Sequence, residues 1–164
     1  MNPKQIGSIG HSEGGMIAPM VAAQSNDVAF IVLLAGMGQR GEDVIYTQTE
    51  LIQKAEEMNS EVTAKTLDLL KRINAIVKTQ SDEKRLEQLI NEEFAAHVGA
   101  LTEPQRKAFA PAEATPKGLM PMFRLPWFRY FITFDPAPFL RKVKVPVLAL
   151  NGELDLQVAW KQNL

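Results

Sequence analysis

The chain has 164 residues, of which 46% are hydrophobic and 23% charged, and its formal net charge at pH 7 is −1. This composition is typical of a globular protein with its own core and gives no sign of a basic surface for nucleic acid. The sequence contains no cysteine, which excludes disulfides, thiolate metal ligands and a cysteine nucleophile. The longest apolar run, residues 28–35, is too short to span a bilayer.

The first predicted element is a strand at residues 4–9, followed by Gly10-His11-Ser12-Glu13-Gly14, which reads G-x-S-x-G. A helix is predicted directly afterwards, over residues 15–23. A tight turn between strand and helix pushes a serine hydroxyl out of the backbone and aims the helix N-terminus at it, so the pattern predicts a nucleophilic serine. We expect a positive φ at Ser12. The flanking glycines are expected because the backbones of the strand and the helix approach too closely for a Cβ. The spacing fits neither common phosphate-binding loop.

Two further segments, residues 28–34 and 145–150, are near-continuous apolar runs, and together with the segment at residues 4–9 they are predicted to be three buried parallel strands. Between them, residues 42–109 are rich in charged residues and leucine, with apolar side chains at helical spacing. This pattern predicts two or three long helices in an insertion, the third capped by Ser81. Beyond it, the segment 119–131 is dense in methionine and aromatic residues. Five of its side chains either line an acyl-binding pocket or pack the insertion against the core: Met120, Met122, Phe123, Trp127 and Phe128.

The third strand continues into a loop, and residues 146–155 read P-V-L-x-x-x-G-x-x-D. With this run and the G-x-S-x-G turn, the chain resembles the α/β-hydrolases of the serine esterase, lipase and acyl-hydrolase kind. The resemblance implies a partial α/β-hydrolase fold, with about three parallel strands (the family's fifth to seventh) and a large helical cap insertion. It implies hydrolase core at residues 1–38, cap at 39–134 and core with the acid-bearing strand at 135–164.

The resemblance also implies the roles of the site residues. Ser12 is the expected nucleophile, Asp155 the acid of the catalytic triad, and the backbone N–H of Glu13 a donor of the oxyanion hole. Glu153 is the alternative acid, although a solvated loop position suits it better. Because parallel strands end at one edge of a sheet, Asp155 is expected on the same edge as Ser12.

The chain departs from the family pattern at both ends, since that fold has about eight strands and its catalytic histidine follows the eighth. Only two histidines are present. His11 abuts Ser12 on the turn, where neighbouring side chains diverge, and His97 lies in the insertion beside an apolar stripe, where a structural role is expected. We therefore expect a fragment that lacks the N-terminal strands and the C-terminal histidine segment, and that is inactive.

The leading functional hypothesis is hydrolysis of a small-molecule carboxylic ester through an acyl-serine intermediate. A peptidase or acyltransferase on the same scaffold is an alternative, as is a non-catalytic helical interaction module on a remnant sheet. No motif requires a metal or organic cofactor, and nothing in the sequence indicates a compartment. Because both outer strands of a three-stranded sheet would lack a partner, we expect a homodimer or higher self-association.

Overall fold

The computed structural model describes residues 5–109 and 115–164. The chain divides into two compact units. The sheet unit consists of the residues up to Gln48 and of Phe134–Leu164, and the helical unit is Thr49–Thr133. This division rests on compactness alone, so the family-based boundaries at residues 38/39 and 134/135 stay a prediction.

The sheet unit is built on three parallel strands, β1 (Gly7–His11), β2 (Phe30–Leu34) and β3 (Val147–Leu150), in the order β1-β2-β3. The predicted parallel sheet of adjacent strands is confirmed. Each strand is displaced or shorter than predicted, because a strand extends only as far as its residues pair with a neighbouring strand. Thus β1 continues to His11, which pairs with Leu34, and β3 begins only at Val147. Lys4, where the first strand was expected to begin, lies outside the described residues.

The expected burial of the strands is wrong for two of the three. The central strand β2 is the most buried of the three, with Ile31 1% and Leu33 8% exposed. All four residues of β3 are exposed, and Ile9 in β1 is 70% exposed. An apolar run indicates a strand that is suited to burial, but burial itself depends on a helix covering each face.

Helix α1 (Gly14–Gln24) packs on the sheet, where Ala18 contacts Ile31 and Leu33 in one buried cluster. Pro19 lies inside this helix and is itself buried. The short helices α8 (Ala137–Leu140) and α9 (Trp160–Asn163) complete the sheet unit, and the Asp135 carboxylate accepts the N–H of Ala137 at the start of α8.

The remaining helices make up the insertion: α2 (Gly41–Ala55), α3 (Ser60–Thr79), α4 (Glu83–Gly99), α5 (Glu103–Phe109), α6 (Pro116–Arg124) and α7 (Pro126–Thr133). Its core lies along α3 and α4, where the predicted apolar stripes are buried at Val62, Leu69, Ile73, Leu86, Ile90 and Phe94. Helix α4 is capped by Asp82, whose carboxylate accepts the N–H of Arg85, and not by Ser81 as predicted. A carboxylate is the stronger acceptor at the positive end of a helix. Within the two described stretches, no helix combines the length and apolar character needed to cross a bilayer.

Candidate active site

Ser12 occupies the junction between β1 and α1, and its backbone is in the left-handed region with φ of 53°. The predicted positive φ is therefore confirmed. The Ser12 N–H donates to the Leu34 carbonyl at 3.0 Å, which ties the turn to β2, and the Ser12 carbonyl accepts the N–H of Gly15 at 2.9 Å. A non-glycine residue in this region costs roughly 1–2 kcal/mol, and such strain persists only where the surrounding structure enforces it.

Two glycines make this tight turn possible, although they are not the two that frame the pentapeptide. A Cβ on Gly10 would stand 2.0 Å from the Gly14 carbonyl oxygen, and a Cβ on Gly15 would stand 2.3 Å from the Cα of Gly36. At Gly14 itself a Cβ would meet nothing within 4 Å. The expected close approach is thus confirmed at Gly10 and wrong at Gly14, because Gly14 already lies on an open face of the first helical turn.

The carboxyl ends of the three strands meet at one edge of the sheet. Because β1 and β3 both pair in parallel with β2, Ser12 and the loop that carries Asp155 follow strand ends at that same edge. The edge is extended past the strands by the Ala35 N–H, which donates to the Leu150 carbonyl at 2.8 Å. Two strand spacings, about 10 Å, separate β1 from β3.

A cavity of about 310 Å³ opens at this edge. It is lined by one to three residues from each strand end: His11, Leu34, Ala35, Leu150, Asn151 and Gly152. Ala35, like Ser12, has a positive φ, of 46°. The adjacent strands β1 and β2 are therefore each followed directly by a left-handed residue. Nothing in the sequence around Ala35 predicts its positive φ.

Asp155 is held in the loop after β3 by its own backbone contacts. Its Oδ1 accepts the N–H of Gln157 at 2.8 Å and that of Val158 at 3.0 Å. Asp155 is half-buried, whereas Glu153 is exposed. Between the two acids of this loop, Asp155 is thus the one with a fixed carboxylate.

The two histidines lie in different surroundings. His11 is the last residue of β1, is exposed and lines the cavity at the strand ends. His97 lies in α4, is 5% exposed, and its ring centroid is 4.3 Å from that of Phe109. Burial, followed by the positive charges of Arg72 and Lys65, lowers the pKa of His97. In the stretches 5–109 and 115–164, its Nε2 finds no hydrogen-bond partner. The expected structural role in the insertion suits this burial.

Glu13 forms the N-cap of α1 with helical φ and ψ, so its backbone N–H stands at the first turn, next to Ser12. The five residues proposed for an acyl pocket belong to α6 and α7 of the helical unit. Met120, Phe123 and Phe128 are buried, and the rings of the two phenylalanines are 5.5 Å apart. Trp127 is 47% exposed and stacks on Phe131. Burial of this kind is what packing of α6 on α7 requires, and the pocket role stays a prediction.

Residues 1–101 match a family model described as "BAAT / Acyl-CoA thioester hydrolase C terminal". The match spans more than half of the chain and includes the turn at Ser12. No curated protein and no solved structure matches the chain.

Proposed function

Because the chain belongs to the BAAT and acyl-CoA thioester hydrolase C-terminal family, within the α/β-hydrolase superfamily, we propose that it carries the machinery of a serine hydrolase. In this proposal an acyl group passes from a small-molecule ester or thioester to water through an acyl-Ser12 intermediate. The observation that carries the proposal is the left-handed Ser12, held between β1 and α1 at the sheet edge that also bears Asp155. A strained serine at the carboxyl edge of a parallel sheet is the arrangement in which α/β-hydrolases present their nucleophile.

The proposed chemistry has two halves. First, an imidazole base takes the proton of Ser12 Oγ while the oxygen attacks the carbonyl carbon. The N–H of Glu13 stabilises the resulting oxyanion, the bond to the leaving sulfur or oxygen breaks, and the leaving group takes up the proton. Second, the base deprotonates a water molecule, which attacks the acyl carbon. The bond to Ser12 Oγ then breaks, Oγ takes up the proton from the imidazolium, and a carboxylic acid is released. Asp155 holds the imidazole and stabilises its charged form, through a carboxylate whose Oδ1 is already fixed by two N–H groups.

A thioester suits this site better than an oxygen ester. A thiol, with a pKa of about 8.5, is far more acidic than water or a simple alcohol. A thiolate therefore leaves without prior protonation, and an alkoxide does not. The family description also names acyl-CoA thioesters. We therefore propose thioesters as the preferred class and carboxylic esters as slower substrates.

Neither histidine is in a favourable position to serve as the base. His11 precedes Ser12 directly, and neighbouring side chains on so tight a turn are expected to diverge, whereas His97 is buried in the helical unit against Phe109. An unassisted serine hydroxyl is barely nucleophilic at neutral pH. We therefore propose that these 164 residues alone do not turn over substrate at a useful rate.

Free imidazole tests the proposal directly, because it can act as the base that neither His11 nor His97 is placed to supply. The chain is incubated with a short-chain acyl thioester with and without imidazole, and acylation is measured by the mass of the peptide that contains Ser12. We expect imidazole-dependent acylation of Ser12, absent in Ser12→Ala and strongly reduced in Asp155→Asn. Glu153→Gln is the matched control and should acylate as the unmodified chain does.

The same experiment separates the alternatives. If no acyl-Ser12 forms at any imidazole concentration, the hydrolase proposal fails and a non-catalytic interaction module is favoured. If acyl-Ser12 forms, adding an amine or alcohol as a competing acceptor distinguishes an acyltransferase from a hydrolase, and a peptide substrate tests for a peptidase.

A further inference from the structure

The loop after β3 is organised around one buried residue, Val158, which is held at both of its backbone polar groups. Its N–H donates to Oδ1 of Asp155 at 3.0 Å. Its carbonyl accepts the Nδ2 of Asn151 at 2.8 Å. The side chains of Asp155 and Asn151 thus bind the N–H and the carbonyl of the same residue. The position of Asp155 therefore depends on where Asn151 holds Val158.

The orientation of the Asn151 amide is determined by its surroundings. Its Nδ2 faces two carbonyl oxygens, that of Val158 and that of Gly152, the latter at 3.3 Å. Rotating the amide by half a turn would put Oδ1 against both of them, which is repulsive. In the observed orientation Oδ1 is buried, and no hydrogen-bond partner for it exists among the residues that the structure describes.

Asn151 also directly follows a strand end that is hydrogen-bonded to its neighbour. It follows Leu150, the last residue of β3, whose carbonyl accepts the N–H of Ala35 beyond the end of β2. The Asn151 side chain therefore fixes the position of the loop after β3 relative to the end of that strand. Residues 152–154 and 156–157 of this loop are exposed. A buried acceptor without a hydrogen-bond partner is unfavourable. It is tolerated where the same side chain has a functional role, here through the Nδ2 of Asn151.

We propose that Asn151 is the positioning residue of Asp155: by holding the Val158 carbonyl, it fixes the turn that aims the Asp155 carboxylate at the base. This inference rests on the proposed function, in which Asp155 is the acid. Asn151 has no part in the chemistry itself and acts only through Asp155. Misplacement of a catalytic group by about 1 Å costs on the order of 100-fold in rate, so losing Asn151 should be costly for acylation.

The test uses Asn151→Leu, which keeps the branched shape and removes both the Nδ2 donor and the orphaned Oδ1. The substitution removes the orphaned Oδ1 but leaves the Val158 carbonyl without its Nδ2 donor, so the two effects oppose each other and the stability of the sheet unit should change little. The rate of imidazole-dependent acylation of Ser12 should nevertheless fall by roughly 10- to 100-fold, with more imidazole needed for half-saturation. In an Asp155→Asn background, Asn151→Leu should cause no further loss of rate.

Asn163 provides the matched control, since its Nδ2 also donates to a backbone carbonyl, that of Ala159, at 2.8 Å. Its Oδ1 is satisfied by the N–H of Gly38 at 2.7 Å. Asn163→Leu should therefore lower stability and leave the acylation rate of the folded protein unchanged, which is the reverse of the pattern at Asn151.

The outcomes are separable. If the unmodified chain acylates and Asn151→Leu acylates equally well, or loses rate only in proportion to stability, the positioning role is overturned and the hydrolase proposal stands. If the unmodified chain never acylates, the hydrolase proposal fails and Asn151 has no acid to position. Should Asn151→Leu not fold, Asn151→Ala replaces it, with the same double-variant comparison against Asp155→Asn deciding the result.

Discussion

Replacing Gly10 with alanine should destabilise the sheet unit severely, whereas the same change four residues later should not. The new Cβ at residue 10 would lie 2.0 Å from the Gly14 carbonyl oxygen and 2.8 Å from the Gly15 nitrogen, and real Cβ atoms stay beyond 3.0 Å. The obstacle is backbone, so no side chain can rotate out of the way, and the start of α1 must move by about 1 Å. Overpacking costs typically 1–3 kcal/mol where side chains can adjust. Here we expect about 3 kcal/mol or more, a large share of the 5–15 kcal/mol that stabilises a typical domain.

Gly14→Ala is the matched control, because a Cβ at residue 14 meets nothing within 4 Å and the residue is helical. It should be neutral or stabilise by up to about 1 kcal/mol, the difference in helix propensity between glycine and alanine. Urea unfolding is followed by the fluorescence of Trp160, which lies in the sheet unit, after Trp127 in the helical unit is replaced by phenylalanine. With a slope of about 1–3 kcal/mol per molar urea, Gly10→Ala should lower the midpoint by about 1 M or more. Equal midpoints for Gly10→Ala and Gly14→Ala would refute the steric account of the turn.

The strain at Ser12 predicts that Ser12→Gly raises the stability of the sheet unit by about 1 kcal/mol while removing the acyl acceptor; Ser12→Ala keeps the Cβ and should show no such gain in the same urea experiment. Because burial and nearby cations lower the pKa of His97 below its ordinary 6.5 in the folded state, the unfolded chain binds the proton more readily, and stability must fall as the pH drops below about 6.5. Urea unfolding against pH, reported by Trp127, should lose this dependence in His97→Gln, and an unchanged slope would contradict the assignment. The exposed strand β3 and the open edges of the described sheet predict self-association, measured by sedimentation equilibrium over a dilution series. Leu148→Lys should shift the protein toward monomer, and the mass of a single chain at every concentration would refute the prediction.

The order of elements could be predicted from the sequence because it follows from local patterns. Apolar runs identify β2 and β3, and the G-x-S-x-G turn marks the end of β1. The spacing of Leu69, Ile73, Leu86 and Ile90 identifies the buried faces of α3 and α4. Burial of the strands could not be predicted, since it depends on which surfaces cover them. Leu148 has the same apolar character as Ile31, yet one is 53% exposed and the other 1%.

The candidate site shows the same limit at the level of single residues. The turn at Ser12 was predictable because the G-x-S-x-G pattern describes a local backbone geometry. The roles of Gly15 and Asn151 were not, because each depends on a contact with a residue distant along the chain or across a loop: Gly36 for the first, Val158 for the second. Local sequence patterns contain no information on contacts between residues that are this far apart along the chain.

The sheet unit is formed by two separate segments of the chain, and this determines the order in which its strands become available for folding. The Asn163 side chain accepts a hydrogen bond from the N–H of Gly38, 125 residues earlier, and β3 pairs with a strand that is synthesised long before it. During translation β1, α1 and β2 therefore emerge without their third strand, and the helical unit Thr49–Thr133 is synthesised between β2 and β3. High contact order makes the last step the slow one. Closure of the described sheet around β3 thus waits until the helical unit has been synthesised, so the edge at which β1, β2 and β3 all end is assembled only after Thr49–Thr133 has emerged.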